Sequence, residues 1–226
     1  MQICRRIGQD QLNATVSLDL SHIGLAVDND LCLQNLDAIC TEASLHDIEV
    51  IISAEGTGRT DAVLRAYQTA ASKYNNLAIT LQAYLYRTAD DFKEIIKTKG
   101  RIRIVKGAFK TPESLALPRG EKLDEVYLDY IDQLLANGHK CSIATHHDKI
   151  QQAAKKLVDR YRLVQTDYEF ESLYGINNGQ LETLRQEGYQ TKLYFVYGKE
   201  WYLYLCNRIA EYPQNIFRAL SDIVGG

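Results

Sequence analysis

The sequence predicts an α/β protein built on a parallel sheet. Short apolar runs alternate with longer amphipathic segments, the runs are rich in Val, Ile and aromatic residues, and polar side chains gather where the runs end. Strands that alternate with helices in this way lie parallel, with the helices covering the sheet.

The runs come in order as ATVSLDL (14–20), IEVIIS (48–53), LAITLQAY (77–84), IRIVKG (102–107), CSIAT (141–145), YEFESLY (168–174) and KLYFVYG (192–198). After the DND at 28–30, Leu31, Leu33, Leu36 and Ile39 begin a helix. Tyr127, Ile131, Leu134 and Leu135 are spaced at three and four, the interval of one helical face, and Gly138 ends that helix. Ile150, Ala153, Ala154 and Leu157 repeat the pattern. Helices are also expected within 172–189 and 200–220, the second interrupted near Pro213.

A parallel sheet of this kind is either an open doubly wound sheet or a closed (β/α) barrel. No GxGxxG follows the first run, which disfavours a dinucleotide-binding open sheet. The runs fall one short of the eight strands a complete barrel takes.

The chain has 226 residues, 46% hydrophobic, enough for one large domain or two small ones. Neither repeats nor a Pro/Gly-rich linker divide it, so residues 1–226 are read as one domain. The net charge of −3 argues against a nucleic-acid partner held by bulk charge. Five cysteines (Cys4, Cys32, Cys40, Cys141, Cys206) form no CxxC pair and read as reduced thiols. No run is long enough to span a bilayer, and MQICRRIGQDQ lacks a signal-peptide core. A cytoplasmic protein is expected.

In a barrel the chemistry sits at the C-terminal strand ends. Here nearly every end carries groups that bond hydrogen or hold charge, which suggests a lined pocket. Plainer readings hold for several of them. His146 and His147 suit a helix start, Glu55 and Asp61 suit turn and cap chemistry, and Lys192 and Lys199 read as solvated surface charges. Arg103 and Lys106 are harder to place. Three residues apart on a strand, they point to opposite sides, so one of them points inward. An inward cation needs a partner, either a carboxylate such as Glu55 or Glu169 or an anionic or reducible ligand.

RIRIVKGAF, ITLQAYLYRTADDF, SIATHHDKI, YEFESLYGI, VYGKEWYLYL and NRIAEYPQNI occur in that order. Together they resemble the proline dehydrogenase family, flavin-dependent (β/α)8 TIM-type barrels that oxidise proline to pyrroline-5-carboxylate. The resemblance implies FAD, with FMN as the alternative. It places Gln82 on the flavin ring and Lys106, Gly107 and Ala108 along the cofactor. Thr145, His146 and Ala54 are further cofactor contacts. Arg103 would lie near the ring, where a positive charge favours the reduced flavin. Arg103 and Ser53 are the catalytic candidates. Tyr204, Asn207, Arg208 and Glu211 share one face of the last helix. With Tyr194 and Asp19 they are the substrate-binding candidates, and Arg208 suits a substrate carboxylate. A quinone or another acceptor would take the electrons, which allows peripheral contact with a membrane.

Four positions depart from the family pattern. Asn207 stands for an arginine, Asp19 for a lysine, Ser53 for an aspartate and Phe109 for a tyrosine. Proline, or a related amino or imino acid of altered specificity, is the expected substrate. A non-catalytic flavin- or metabolite-binding descendant is the alternative. The family's first barrel strand has no counterpart in MQICRRIGQDQL. A second copy, a partner chain, a swap or a longer native gene would supply it.

Overall fold

A computed structural model of the chain describes residues 1–162, 166–176 and 178–198. They fall into two compact units, Met1–Cys141 and the described part of Ser142–Gly226.

The first unit opens on α1 (Gln2–Gln9), which turns Cys4 and Ile7 inward. Four strands follow, β1 (Val16–Leu18), β2 (Val50–Ile52), β3 (Leu77–Gln82) and β4 (Ile102–Val105). They pair in chain order and in parallel. Between and after them run α2 (Asn29–Ser44), α3 (Thr60–Ala71), α4 (Thr88–Ile95) and α5 (Glu121–Ala136). Asp28 starts α2 by accepting a hydrogen bond from the Leu31 amide at 2.8 Å, one of the donors a helix start leaves unpaired. α1 docks on α2 through Arg5, whose guanidinium forks onto both oxygens of Glu42 at 2.9 Å.

The pairing register sorts the strand residues into two faces. Val16, Leu18, Val50, Ile52, Leu77, Ile79, Leu81, Ile102 and Ile104 share one face, and from β2 onward they are fully or almost fully buried. This face takes the helices. Tyr127 of α5 is buried and donates to the Ile104 carbonyl at 3.1 Å. The opposite face carries Ser17, Ile51, Ala78, Thr80, Gln82, Arg103 and Val105, a mixed and largely polar set.

The second unit contains most of β5 (Cys141–Ala144), then α6 (Asp148–Tyr161), β6 (Tyr168–Leu173), α7 (Asn178–Gln186) and β7 (Thr191–Tyr194). β6 and β7 pair in parallel. Ile150, Ala154 and Val158 bury one stripe of α6. Phe170 packs edge-on against Tyr189, with ring centroids 5.6 Å apart.

All seven runs expected as strands form strands, trimmed at their ends. The expected helices at α2, α5, α6 and α7 form as well. The spacing argument did not mark α3 and α4. The helix expected over 200–220 lies outside the described residues. Among the described residues no helix is long and apolar enough to cross a membrane, and no group of His, Cys, Asp or Glu is arranged to hold a metal.

Candidate active site

The polar face of the first unit is organised around Arg103. This side chain is 5% exposed. Its Nε donates to Thr80 Oγ1 on neighbouring β3 at 2.8 Å, and its Nη2 donates to Ser17 Oγ on β1 at 3.2 Å. Ser17 Oγ lies 3.1 Å from Ser53 Oγ, just past the end of β2. Gln82 closes β3, and its amide donates to the Glu55 carbonyl at 3.2 Å. Glu55 is buried, accepts from the Ser21 amide at 2.9 Å and faces Arg59 at 3.5 Å. Its carboxylate and burial together push the nearby Cys32 thiol up, burial being the larger cause. Glu55 thus bonds both a distant backbone amide and a neighbouring arginine. Asp61 instead pairs with Arg87 at 2.6 Å, which holds its carboxyl below the usual range.

Arg103 and Lys106 do point to opposite sides. Lys106 continues the aliphatic face and meets Asp124 of α5 at 2.5 Å. Its ammonium is thus engaged on the helix side of the strand, away from the Arg103 face.

Gly107 has φ of 113°, a region that side chains rarely adopt. A Cβ there would fall 2.2 Å from the Tyr84 ring, so the glycine is required first by packing against Tyr84. The Tyr84 hydroxyl bonds Thr111 Oγ1 at 2.8 Å and the Phe109 carbonyl at 3.3 Å. Arg119 donates to the Gly107 carbonyl at 2.5 Å. The segment carrying Ala108 and Phe109 is thereby strapped to the end of β3. Phe109 itself is 39% exposed. Asp19 follows β1 with its side chain 41% exposed, 3.9 Å from His22. Ala54 is half-buried between Ser53 and Glu55.

The second unit has its own polar face, made by Ser142, Glu169, Glu171, Lys192 and Tyr194. Lys192 lies 2.7 Å from Glu169, and Ser142 donates to the same carboxylate oxygen at 2.5 Å. Lys192 is therefore an ion-paired group, not the solvated surface charge its sequence context suggested, because the β6–β7 register brings it beside the carboxylates. Thr145 is buried, with its hydroxyl accepting from the His147 amide at 3.1 Å and its carbonyl accepting from Gln151 at 2.6 Å. His146 is exposed at the turn into α6. His147 takes the N-cap position without a side-chain capping bond. Tyr194 ends β7 half-buried. Tyr204, Asn207, Arg208 and Glu211 lie outside the described residues.

Sequence reasoning missed Ser17, Thr80, Tyr84 and Glu171. Strand parity holds the signal for two of them. Thr80 is two residues before Gln82, and Ser17 two before Asp19, so each shares a face with a residue already singled out.

Comparison with known proteins bears on the family and the fold. The family model described as "Proline dehydrogenase" matches residues 2–215. The chain is 37% identical over 223 residues to proline dehydrogenase 2 of Bacillus subtilis, covering 99% of this chain and 74% of that protein. It is 32% identical over 216 residues to the proline dehydrogenase of Deinococcus radiodurans, covering 93% of this chain and 70% of that one. Among solved structures, proline utilization A of Bdellovibrio bacteriovorus inactivated by N-propargylglycine superposes with a TM-score of 0.81 over 92% of this chain at 18% identity. A proline utilization A variant of Bradyrhizobium japonicum gives 0.78 over 92% of this chain at 19% identity. The chain spans only 27% and 25% of those two longer chains. These likenesses show the fold, a (β/α) barrel of the proline dehydrogenase type, seven strands of which are described here. By its sequence match along nearly its whole length, the chain belongs to the proline dehydrogenase family.

Proposed function

We propose that this chain is a flavin-dependent dehydrogenase that oxidises proline, with FAD as the cofactor and a quinone or a similar acceptor taking the electrons. One observation carries the reading. In a member of this family, a buried arginine, Arg103, stands among hydroxyls on the polar strand face, two register pairs along the β3–β4 ladder from Gln82. The donor set fits a flavin, whose ring edge offers carbonyl oxygens and nitrogens to a guanidinium, an amide and hydroxyls.

When bound, the flavin supplies a two-electron acceptor for the substrate's C–N bond. The protein's own part is binding, orientation and charge. Arg103 places a fixed positive charge where negative charge develops. Gln82 and the backbone of Lys106, Gly107 and Ala108 hold and orient the cofactor. Ala54, Thr145 and His146 have the same role by family resemblance. Arg208 binds the substrate carboxylate, supported by Asn207, Glu211 and Tyr204, with Tyr194 and Asp19 completing substrate recognition. The family match across residues 2–215 supports one catalytic domain made of both units.

The test is the visible spectrum of the purified protein, before and after proline under anaerobic conditions. A yellow protein bleached by proline supports the reading. A protein that stays colourless after incubation with FAD and with FMN refutes it. Bound flavin that hydroxyproline or another amine bleaches and proline does not would move the substrate to that compound. The Asp19 and Ser53 positions would then be the first to vary.

A further inference from the structure

Arg103 is held from two directions by hydroxyl groups. Thr80 Oγ1 takes the Nε proton at 2.8 Å, and Ser17 Oγ takes an Nη2 proton at 3.2 Å. Arg103 and Thr80 are 5% and 6% exposed, so bulk water offers little competition for the shorter bond. A guanidinium can only donate, so both hydroxyls accept, and each retains a proton of its own to give. A hydroxyl that accepts from a cation becomes a better donor. Ser53 Oγ lies 3.1 Å from Ser17 Oγ, a pair in which either hydroxyl can donate and in which the polarised Ser17 proton is the stronger donor. Bonds to two different nitrogens fix the plane of the guanidinium as well as the position of its charge.

We propose that Thr80 and Ser17 are positioning residues that lock the Arg103 guanidinium in one plane, and that Ser17 links this cation to Ser53. The geometry stands by itself; the consequence rests on the flavin reading above. Losing either bond removes one constraint on the guanidinium plane, so the charge is held less tightly in one place. A cation fixed beside a flavin stabilises the electron-rich reduced form, so releasing it lowers the midpoint potential. Ser53 gains a separate role, as a neutral group oriented by a polarised hydroxyl.

The experiment uses the full chain with Thr80→Val, Thr80→Ser, Ser17→Ala and Arg103→Met. Valine keeps the shape of threonine and removes the acceptor, while serine restores it. One readout needs no cofactor: hydrogen exchange of the Arg103 Nε proton, followed by NMR. The other is the midpoint potential of the reconstituted protein, titrated against a reference dye. Thr80→Val is expected to speed Nε exchange several-fold and lower the potential, in the direction of Arg103→Met and by less. Thr80→Ser should return both to wild type. Ser17→Ala should lower the potential in the same sense and serves if Thr80→Val does not fold. Wild-type exchange and potential in both Thr80→Val and Ser17→Ala, with a shifted potential in Arg103→Met, overturns the lock and leaves the flavin reading intact. A potential unmoved even by Arg103→Met refutes the placement of Arg103 at the flavin, and the exchange readout alone then decides the lock.

Discussion

The polar strand faces of the two units show two kinds of contact to a charged side chain. In the first unit, uncharged hydroxyls of Thr80 and Ser17 grip the Arg103 cation. In the second, an ion pair between Lys192 and Glu169 is reinforced by Ser142. The opposite sides differ as well, since β1 to β4 turn aliphatic residues away from the polar face while β6 turns Tyr168, Phe170 and the buried Ser172. The contrast matters because neutral clamps can be trimmed without changing the net charge. Removing one ion-pair member takes an opposite charge away from a group that stays largely buried, which costs more than losing a neutral contact.

Lys192→Met should therefore have the largest effect, a loss of about 3 kcal/mol, at the low end for a broken buried pair because Lys192 is 24% exposed. Urea unfolding measures it. Thr80→Val should cost less, about 2 kcal/mol, the worth of a hydrogen bond to a charged group. If the two losses came out equal, the distinction between the faces would collapse. Tyr84→Phe removes only the hydroxyl that ties β3's end to Thr111 and Phe109, a loss of about 1 kcal/mol. Its larger signature should be faster proteolysis within residues 107–119, with the second unit unaffected.

The smallest effect at neutral pH concerns the first unit's apolar side. Burial, the largest cause, raises the Cys40 thiol from 9.0 to about 12. A folded-state pKa raised above the unfolded value contributes stability that is intact below pH 9 and is lost as pH rises toward 12. Unfolding midpoints should hold steady from pH 7 to about pH 8.5 and decline above pH 9.0. Cys40 should also resist a thiol reagent at pH 8 until urea unfolds the protein. Rapid labelling of the native protein would show that α2 opens locally.

The strands were legible because runs of Val, Ile and aromatic residues between turn signals leave few other local solutions. The unmarked helices, α3 and α4, were harder. The seven-residue helix stretch DAVLRAY at 61–67 mixes Val63, Leu64 and Tyr67 with charges, and α4 spans only 8 residues, too few to show a period clearly. Within the site, the oddity of Arg103 was visible from its charge inside an apolar strand. Its partners were not, because Ser17 is 86 residues away in sequence and ordinary in its own segment. Gly107 was singled out for closeness to a cofactor. The packing reason, the Tyr84 ring, came from a neighbouring strand end.

Local composition by itself determined the alternation of strands and helices, the parity that separates Arg103 from Lys106, and the ordered motifs that mark the family. Those properties depend on side chains a few residues apart, where backbone geometry is regular. Only the tertiary structure decided that Arg103 is the cation on the polar face, that Lys106 goes to Asp124, and that Lys192 goes to Glu169. Strand register and helix docking bring those partners together across many residues. A buried charge then takes the acceptors that the register places beside it, whatever its own segment suggests.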